Sequence, residues 1–180
     1  MGKQFDAISP EVGEFIQNQK IFFVGTAAES GKVNVSPKGM DTLRVLAPNK
    51  VLWLNLTGSG NETAAHIQKN SRITIMFCAF EGKPLILRLY GTAEIYHSYD
   101  EEWGELIKNF PYIPGSRQIF KVSIDMVQTS CGMAVPFYDF RGERRELESW
   151  AEKQGEERLK NYRREKNTYS LDGFETSIEK

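Results

Sequence analysis

Between Ile21 and Val127 the chain is a series of short apolar or alternating runs that end at turn residues, with room for few helices between them. Strands joined by tight turns must pair antiparallel, so this spacing constrains the fold more than any other feature. Ile21–Ala27 reads as a buried strand and Glu29-Ser30-Gly31-Lys32 as a hairpin turn. Val33–Ser36 alternates apolar and polar residues, and Val51–Leu56 is a further strand. Arg72–Phe80 and Pro84–Tyr96 are two more, joined at Glu81-Gly82-Lys83. The longest run, Arg117–Val127, alternates Ile119, Lys121, Ser123 and Asp125 against Phe120, Val122, Ile124 and Met126. About six strands in this order predict a mainly β fold, an antiparallel sheet closed into a barrel with a few peripheral helices. A small barrel is filled by its own side chains, so a ligand belongs outside it or at a subunit interface.

The helices are expected at the periphery. Pro10–Gln19 places Val12, Phe15 and Ile16 at helical spacing, and Asn61–Asn70 follows a Gly-rich break. Tyr99–Asn109 carries Trp103, Leu106 and Ile107 on one stripe, with Phe110 beyond its end. Charges dominate from Glu143 to Lys166, where Leu147, Trp150, Ala151, Leu159 and Tyr162 are scattered anchors of a surface or dimer-covering helix. Residues 167–180 have no periodicity and read as an ordered strap or a frayed end. No repeat or linker divides the chain, so 1–180 reads as one domain with 141–180 as a charged helical extension.

Composition narrows the functional classes. With 40% hydrophobic and 26% charged residues the chain has a globular balance. A net charge of -1 argues against a basic nucleic-acid surface. No apolar run is long enough to span a bilayer, and Met1-Gly2-Lys3-Gln4 lacks a signal-peptide core, so a cytoplasmic location is expected. Asp6 stands where a myristoylation signal needs Ser or Thr. Two distant cysteines, Cys78 and Cys131, and two histidines, His66 and His97, do not make a zinc site. Cys78 sits in an apolar strand and reads as a core residue.

The chemistry-bearing stretch is Asn55-Leu56-Thr57-Gly58-Ser59-Gly60-Asn61-Glu62-Thr63-Ala64-Ala65-His66, which leads from a strand through two glycines into a helix. Such a junction presents free backbone N–H groups and the positive end of a helix dipole, which suit a phosphate. The same residues also satisfy a capping box, Ser59-Gly60-Asn61-Glu62, which any helix can use. A second stretch, Asn34-Val35-Ser36-Pro37-Lys38-Gly39, ends a strand with a polar side chain, a cation and a glycine. Lys38 is placed to stabilise a phosphate or a reduced flavin, although Ser-Pro-Lys-Gly is also an ordinary turn.

Taken in order, Val33–Gly39, the aromatic strand, the turn and helix GSGNETAAH, and Arg72-Ile73-Thr74-Ile75-Met76-Phe77 resemble the FMN-binding split barrel of the pyridoxamine 5′-phosphate oxidase family. The resemblance spans Phe15 to Val127 and implies a homodimeric split β-barrel with FMN at the subunit interface. It places Ser36, Pro37, Lys38 and Gly39 along the isoalloxazine edge. Asn55, Leu56 and Thr57 fall under the ribityl chain, and Ser59, Asn61, Glu62 and Thr63 near the phosphate. A carboxylate beside a phosphate is repulsive, so Glu62 would act through its backbone N–H. Arg88 would reach the cofactor from the partner subunit, or else is an exposed strand arginine. The resemblance also exposes departures. Thr63-Ala64 replaces the basic residues of the phosphate turn, and the C-terminal Arg- and His-containing substrate motif is absent. Vitamin B6 is therefore not the expected substrate.

The remaining candidates carry less. Ser130–Pro136 reads as a tight buried turn, with Cys131 near a flavin as the alternative. Arg141, Arg144 and Arg145 read as a solvated face. His66 reads as a packing residue, His97 as exposed, and Trp53, Trp103 and Trp150 as core or interface anchors. An FMN-dependent oxidoreductase acting on an unidentified small molecule is the first reading, with no catalytic side chain nominated. A flavin-binding or redox-sensing protein without turnover is the second. A split-barrel haem-binding protein is the third, and it requires His66 or His97 at the interface.

Overall fold

The computed structural model describes residues 2–179. Eight strands form one antiparallel sheet: β1 (Lys3–Phe5), β2 (Phe22–Thr26), β3 (Asn34–Lys38), β4 (Leu43–Ala47), β5 (Lys50–Leu56), β6 (Arg72–Cys78), β7 (Ile86–His97) and β8 (Ser116–Ser130). Their order is β3-β2-β6-β7-β8-β5-β4, with β1 added to the far end of β8. The edge strands β3 and β4 are not paired with one another, so the barrel is split. β7 and β8 form its spine. β8 pairs with β5 from Ser116 to Ser123 and with β1 from Val127 to Thr129, while β7 follows it along both stretches.

Burial explains why β5 does not alternate as a one-faced strand would. Val51 and Trp53 enter the main core, and Leu52 and Leu54 enter a second cluster with Phe110, Ile113 and Ile119. Covering both faces of β5 makes its apolar run continuous. Trp53 stacks on Phe120 at 4.6 Å between ring centroids, and Phe22 meets its edge at 6.4 Å. A bulge at Tyr90/Gly91 brings β7 hard against β8, where a Cβ on Gly91 would overlap the Ser123 carbonyl.

The helices lie around the sheet. α1 (Pro10–Asn18) starts at Ser9, whose hydroxyl accepts from Val12 N at 3.3 Å, and buries Ile16. α2 (Glu62–Lys69) buries Ala64, Ala65, His66 and Ile67, and its small residues let it lie close to the sheet. α3 (Trp103–Leu106) runs into a 3-10 turn, Ile107–Asn109. α4 (Glu146–Lys166) breaks at Gly155, whose φ is 67°, and buries Ala151 and Leu159.

Several expectations need correction. β1 and β4 add to the strands that the sequence pattern predicts. The helix expected over Tyr99–Asn109 is only α3 and its 3-10 turn, because Asp100 Oδ2 accepts from His97 N at 2.8 Å and holds a turn there. His97 is buried, not exposed, beneath the Tyr99 ring at 4.9 Å. The segment after β8 is open: Cys131 is exposed and Met133 is 82% exposed, while only Gly132 packs closely, against the Leu85 backbone. The extension over 141–180 is helical only within α4. Residues 167–179 form a strap held by buried Asn167, Ser170 and Thr176. No helix among the described residues is long and apolar enough to cross a membrane.

Candidate functional site

The turn between β5 and α2, the inner face of β3, the start of β8 and the strap enclose a cleft of about 490 Å³. Eight of the sequence candidates line it: Ser36, Lys38, Asn55, Leu56, Ser59, Asn61, Glu62 and Thr63. Period-two alternation on β3 aims Ser36 and Lys38 inward and leaves Pro37 exposed on the other face. Gly39 lies past the strand end and lines a neighbouring cavity of about 370 Å³. Thr57 is buried beside the cleft: its hydroxyl donates to Gly115 O at 2.8 Å and accepts from Arg163 Nε at 2.8 Å. Arg88 sits on β7, where its guanidinium donates to Ser130 Oγ at 3.1 Å, and it is not part of the cleft within one chain.

The turn does not form the capping box. Asn61 is the N-cap of α2 but makes no side-chain capping bond. The Glu62 carboxylate instead accepts from Leu171 N at 3.0 Å. The residues at the start of α2, Asn61, Glu62 and Thr63, thus line the cleft without a side-chain cap from Asn61. Gly58 and Gly60 have no positive φ, and a Cβ would meet nothing within 4 Å at Gly58 and only the Glu62 carboxylate, at 3.8 Å, at Gly60. Neither backbone conformation nor packing within the chain requires glycine there, whereas a ligand lying against the turn would.

Sequence reasoning missed the strongest feature. Arg117, at the start of β8, is 4% exposed and lines the cleft, and its Nη1 donates only to neutral acceptors, Asn167 Oδ1 at 2.6 Å and Gly60 O at 3.1 Å. Its Nε has no partner. Burial, and secondarily the nearby Arg163, lowers its pKa to about 9. Lys38 has the same problem. Burial, and secondarily Arg117, lowers its pKa to about 8, and its ammonium rests 5.2 Å from the Trp53 ring centre. Burial also depresses the pKa of Arg163. Among the described residues none of these three cations is ion-paired to a carboxylate. Buried charge without a counter-ion is costly, which makes the cleft a candidate anion site.

Unpartnered atoms gather at the same place. Ser36 Oγ, Asn61 Oδ1 and Arg117 Nε all belong to residues lining the cleft. Gln118 Nε2 is also unpartnered, next to the Asn55 Nδ2 to Gln118 Oε1 bond of 3.2 Å. Asn34 Nδ2 donates to Thr63 Oγ1 at 3.2 Å and ties β3 to α2 across the opening. The set combines cations, free donors and a free amide oxygen, which suits a ligand bearing both an anion and hydroxyl groups. A larger cavity of about 1,020 Å³ lies between the 98–116 segment and α4. Its unpartnered buried atom among the described residues is Glu179 Oε1, whose carboxylate is already paired with Arg164, so size alone does not identify the site. No cluster of potential metal ligands occurs among the described residues.

Comparison with known proteins gives the family and the fold. Residues 8–131 match the family described as pyridoxamine 5′-phosphate oxidase. The pyridoxamine 5′-phosphate oxidase family protein ustO of Aspergillus flavus is 36% identical over 140 residues, which is 75% of this chain and 56% of that protein. The chain thus spans little more than half the length of that curated relative. A protein from Lactobacillus delbrueckii, described as a candidate pyridoxamine 5′-phosphate oxidase, shares the fold with a TM-score of 0.55 at 19% identity, over 68% of this chain and 94% of its own. The FAD-binding protein from Mycobacterium smegmatis superposes with a TM-score of 0.50 at 12% identity, over 70% and 97% of the two chains. The matched segment contains the turn, β3 and Arg117, whereas the strap lies beyond it.

Proposed function

The chain belongs to the pyridoxamine 5′-phosphate oxidase family, and from that premise we propose that it is an FMN-binding oxidoreductase acting on a small molecule. The observation that carries this reading is the pair of half-buried Lys38 and buried Arg117, cations without counter-ions in a cleft with free donors. FMN fits that donor set. The turn N–H groups and Arg117 would hold its phosphate. Asn61 Oδ1 and Ser36 Oγ would meet the ribityl hydroxyls, and Lys38 would lie by the ring. Bound flavin supplies the hydride or electron chemistry. The chain orients the cofactor, keeps water from the phosphate end and fixes positive charge near the ring. With its pKa near 8, Lys38 Nζ exchanges a proton close to neutral pH, which makes it the cleft's candidate proton carrier.

A homodimer with the flavin between subunits accompanies this reading. Its support is the exposed apolar set Val33, Val35, Met133, Phe137 and Phe140, on and beside the open edges. Arg88, bonded to Ser130 at the root of the 131–140 segment, would then reach the partner's cofactor. A haem reading finds less support. His66 is buried on Thr26 at 3.1 Å and His97 lies under Tyr99, and neither lines the cleft.

The test is a visible absorption spectrum of the purified protein, with mass identification of what heat releases. Flavin bands and released FMN are expected. A colourless protein that also ignores added FMN would overturn the proposal.

A further inference from the structure

The strap is built into the cleft rather than laid over it. Lys166, Tyr169, Ser170 and Leu171 line the cleft wall opposite β3. Asn167, fully buried, is the hub: its Nδ2 donates to Gly58 O at 3.0 Å and its Oδ1 accepts from Arg117 at 2.6 Å. Its carbonyl accepts from Asn61 Nδ2 and from the Thr176 hydroxyl. Beyond it, Leu171 N donates to the Glu62 carboxylate at 3.0 Å. Asp172 then accepts from Lys32 N at 2.8 Å and Lys32 Nζ at 2.6 Å, on the hairpin that leads into β3. The strap is therefore latched to the turn, to the start of α2 and to the β2–β3 hairpin.

We infer that this strap makes the cleft selective for a terminal phosphate monoester, with Asn167 as a positioning residue that aims Arg117 and the latched chain closing the end where a dinucleotide would continue. The inference rests on the flavin reading above. Two features of the geometry carry it. First, the partner that Asn167 offers Arg117 is an amide, so the guanidinium is held in place without being neutralised, and its charge remains available to an anion. A carboxylate at the same position would take that charge. Second, the phosphate turn, α2 and the strap meet at one end of the cleft. A monoester finishes there. A pyrophosphate bearing a nucleoside would have to leave through residues 169–172, which the Glu62 and Lys32 latches hold in place.

The measurement is the dissociation constant of FMN, riboflavin and FAD by flavin fluorescence, on the full chain and two variants. The unaltered protein is expected to prefer FMN over both other flavins. Asn167→Asp should lower FMN affinity by about tenfold to a hundredfold, the loss of a charge-assisted phosphate contact, and so collapse the preference for FMN over riboflavin. Leu171→Pro with Asp172→Ala removes both latches without altering a cleft charge, and should bring FAD affinity toward that of FMN. The inference is overturned by equal FMN and FAD affinity in the unaltered protein. It also fails if Asn167→Asp leaves the FMN-to-riboflavin ratio unchanged, or if the unlatched variant excludes FAD as before. Binding of none of the three flavins would instead bring down the flavin reading, and this inference with it.

Discussion

Replacing Arg117 with Met should raise or nearly preserve the stability of the ligand-free protein while it weakens phosphate binding. The two effects oppose each other because the guanidinium is buried and faces no carboxylate. Holding its pKa at about 9 rather than an ordinary 12.5, at about 1.4 kcal/mol per pH unit, costs the folded state on the order of 5 kcal/mol. Both pKa values lie above neutrality, so at pH 7 the guanidinium is charged in folded and unfolded states alike and the folded state bears the full cost. Met removes that cost and replaces the apolar stem of the side chain, though not its guanidinium end. It also leaves Gly60 O and Asn167 Oδ1 without their donor, at about 1–3 kcal/mol each. The net change in the free protein should lie between a loss of about 1 and a gain of about 3 kcal/mol. FMN should lose about 1.5–3 kcal/mol of binding, a factor of about 10 to 150, while riboflavin is spared. Urea unfolding of the flavin-free protein and fluorescence titration with both flavins read the two effects separately. Loss of more than about 3 kcal/mol of stability with an unchanged FMN-to-riboflavin ratio would make Arg117 a structural residue and refute the reasoning.

Lys38 gives a pH signature. Its folded pKa near 8 lies below the unfolded 10.5, so the unfolded chain binds more protons between those values and stability should rise with pH there, by on the order of 3 kcal/mol. FMN affinity should fall over the first part of that window, as the free protein loses the charge. Lys38→Met should flatten both profiles, and a variant with the original pH dependence would remove Lys38 from the site. Trp53→Ala should cost about 3–5 kcal/mol in urea unfolding, through the lost stack on Phe120 and the cavity left in the core. Gly91→Ala should cost more than about 3 kcal/mol or prevent folding, because its Cβ meets the Ser123 carbonyl. A protein that tolerates that change with an unaltered melting curve would contradict the close approach of β7 and β8.

What the sequence disclosed was local. The strand-turn-helix junction at 55–66 and the Ser36/Lys38 face of β3 announce themselves by residue types a few positions apart, and both enter the cleft. Arg117 and Asn167 carry no such signal. Arg117 opens an alternating strand and has the look of an exposed terminus, and its burial is set by Gly60 and by Asn167, 50 residues away. Asn167 lies in a stretch without periodicity, and its partners sit 106 and 109 residues earlier at Asn61 and Gly58. The sequence could not show that the Glu62 carboxylate would be taken up by Leu171 N, 109 residues later. β1 and β4 escaped notice for a different reason. β1 is three residues of edge pairing, and β4 is a short partly exposed run just before Pro48.

Elsewhere in the chain, charges near the surface of the sheet find opposite charges. Arg44 grips both oxygens of Asp41 at 2.6 and 2.7 Å. Lys121 bonds Tyr96 and pairs with Glu94, each at 3.2 Å. The same protein that pairs these half-buried cations with carboxylates leaves its most deeply buried arginine facing an amide. Local consistency fails on both sides of the cleft at once, at Lys38 and at Arg117, as the proposed phosphate site would require. The family segment, 8–131, supplies the two cations and the turn. The neutral partner that keeps Arg117 in place without taking its charge comes from the strap. A chain with the same barrel and a carboxylate at position 167 would hold the guanidinium equally well and offer a phosphate far less, so the identity of that one side chain decides whether the arginine is structural or receptive.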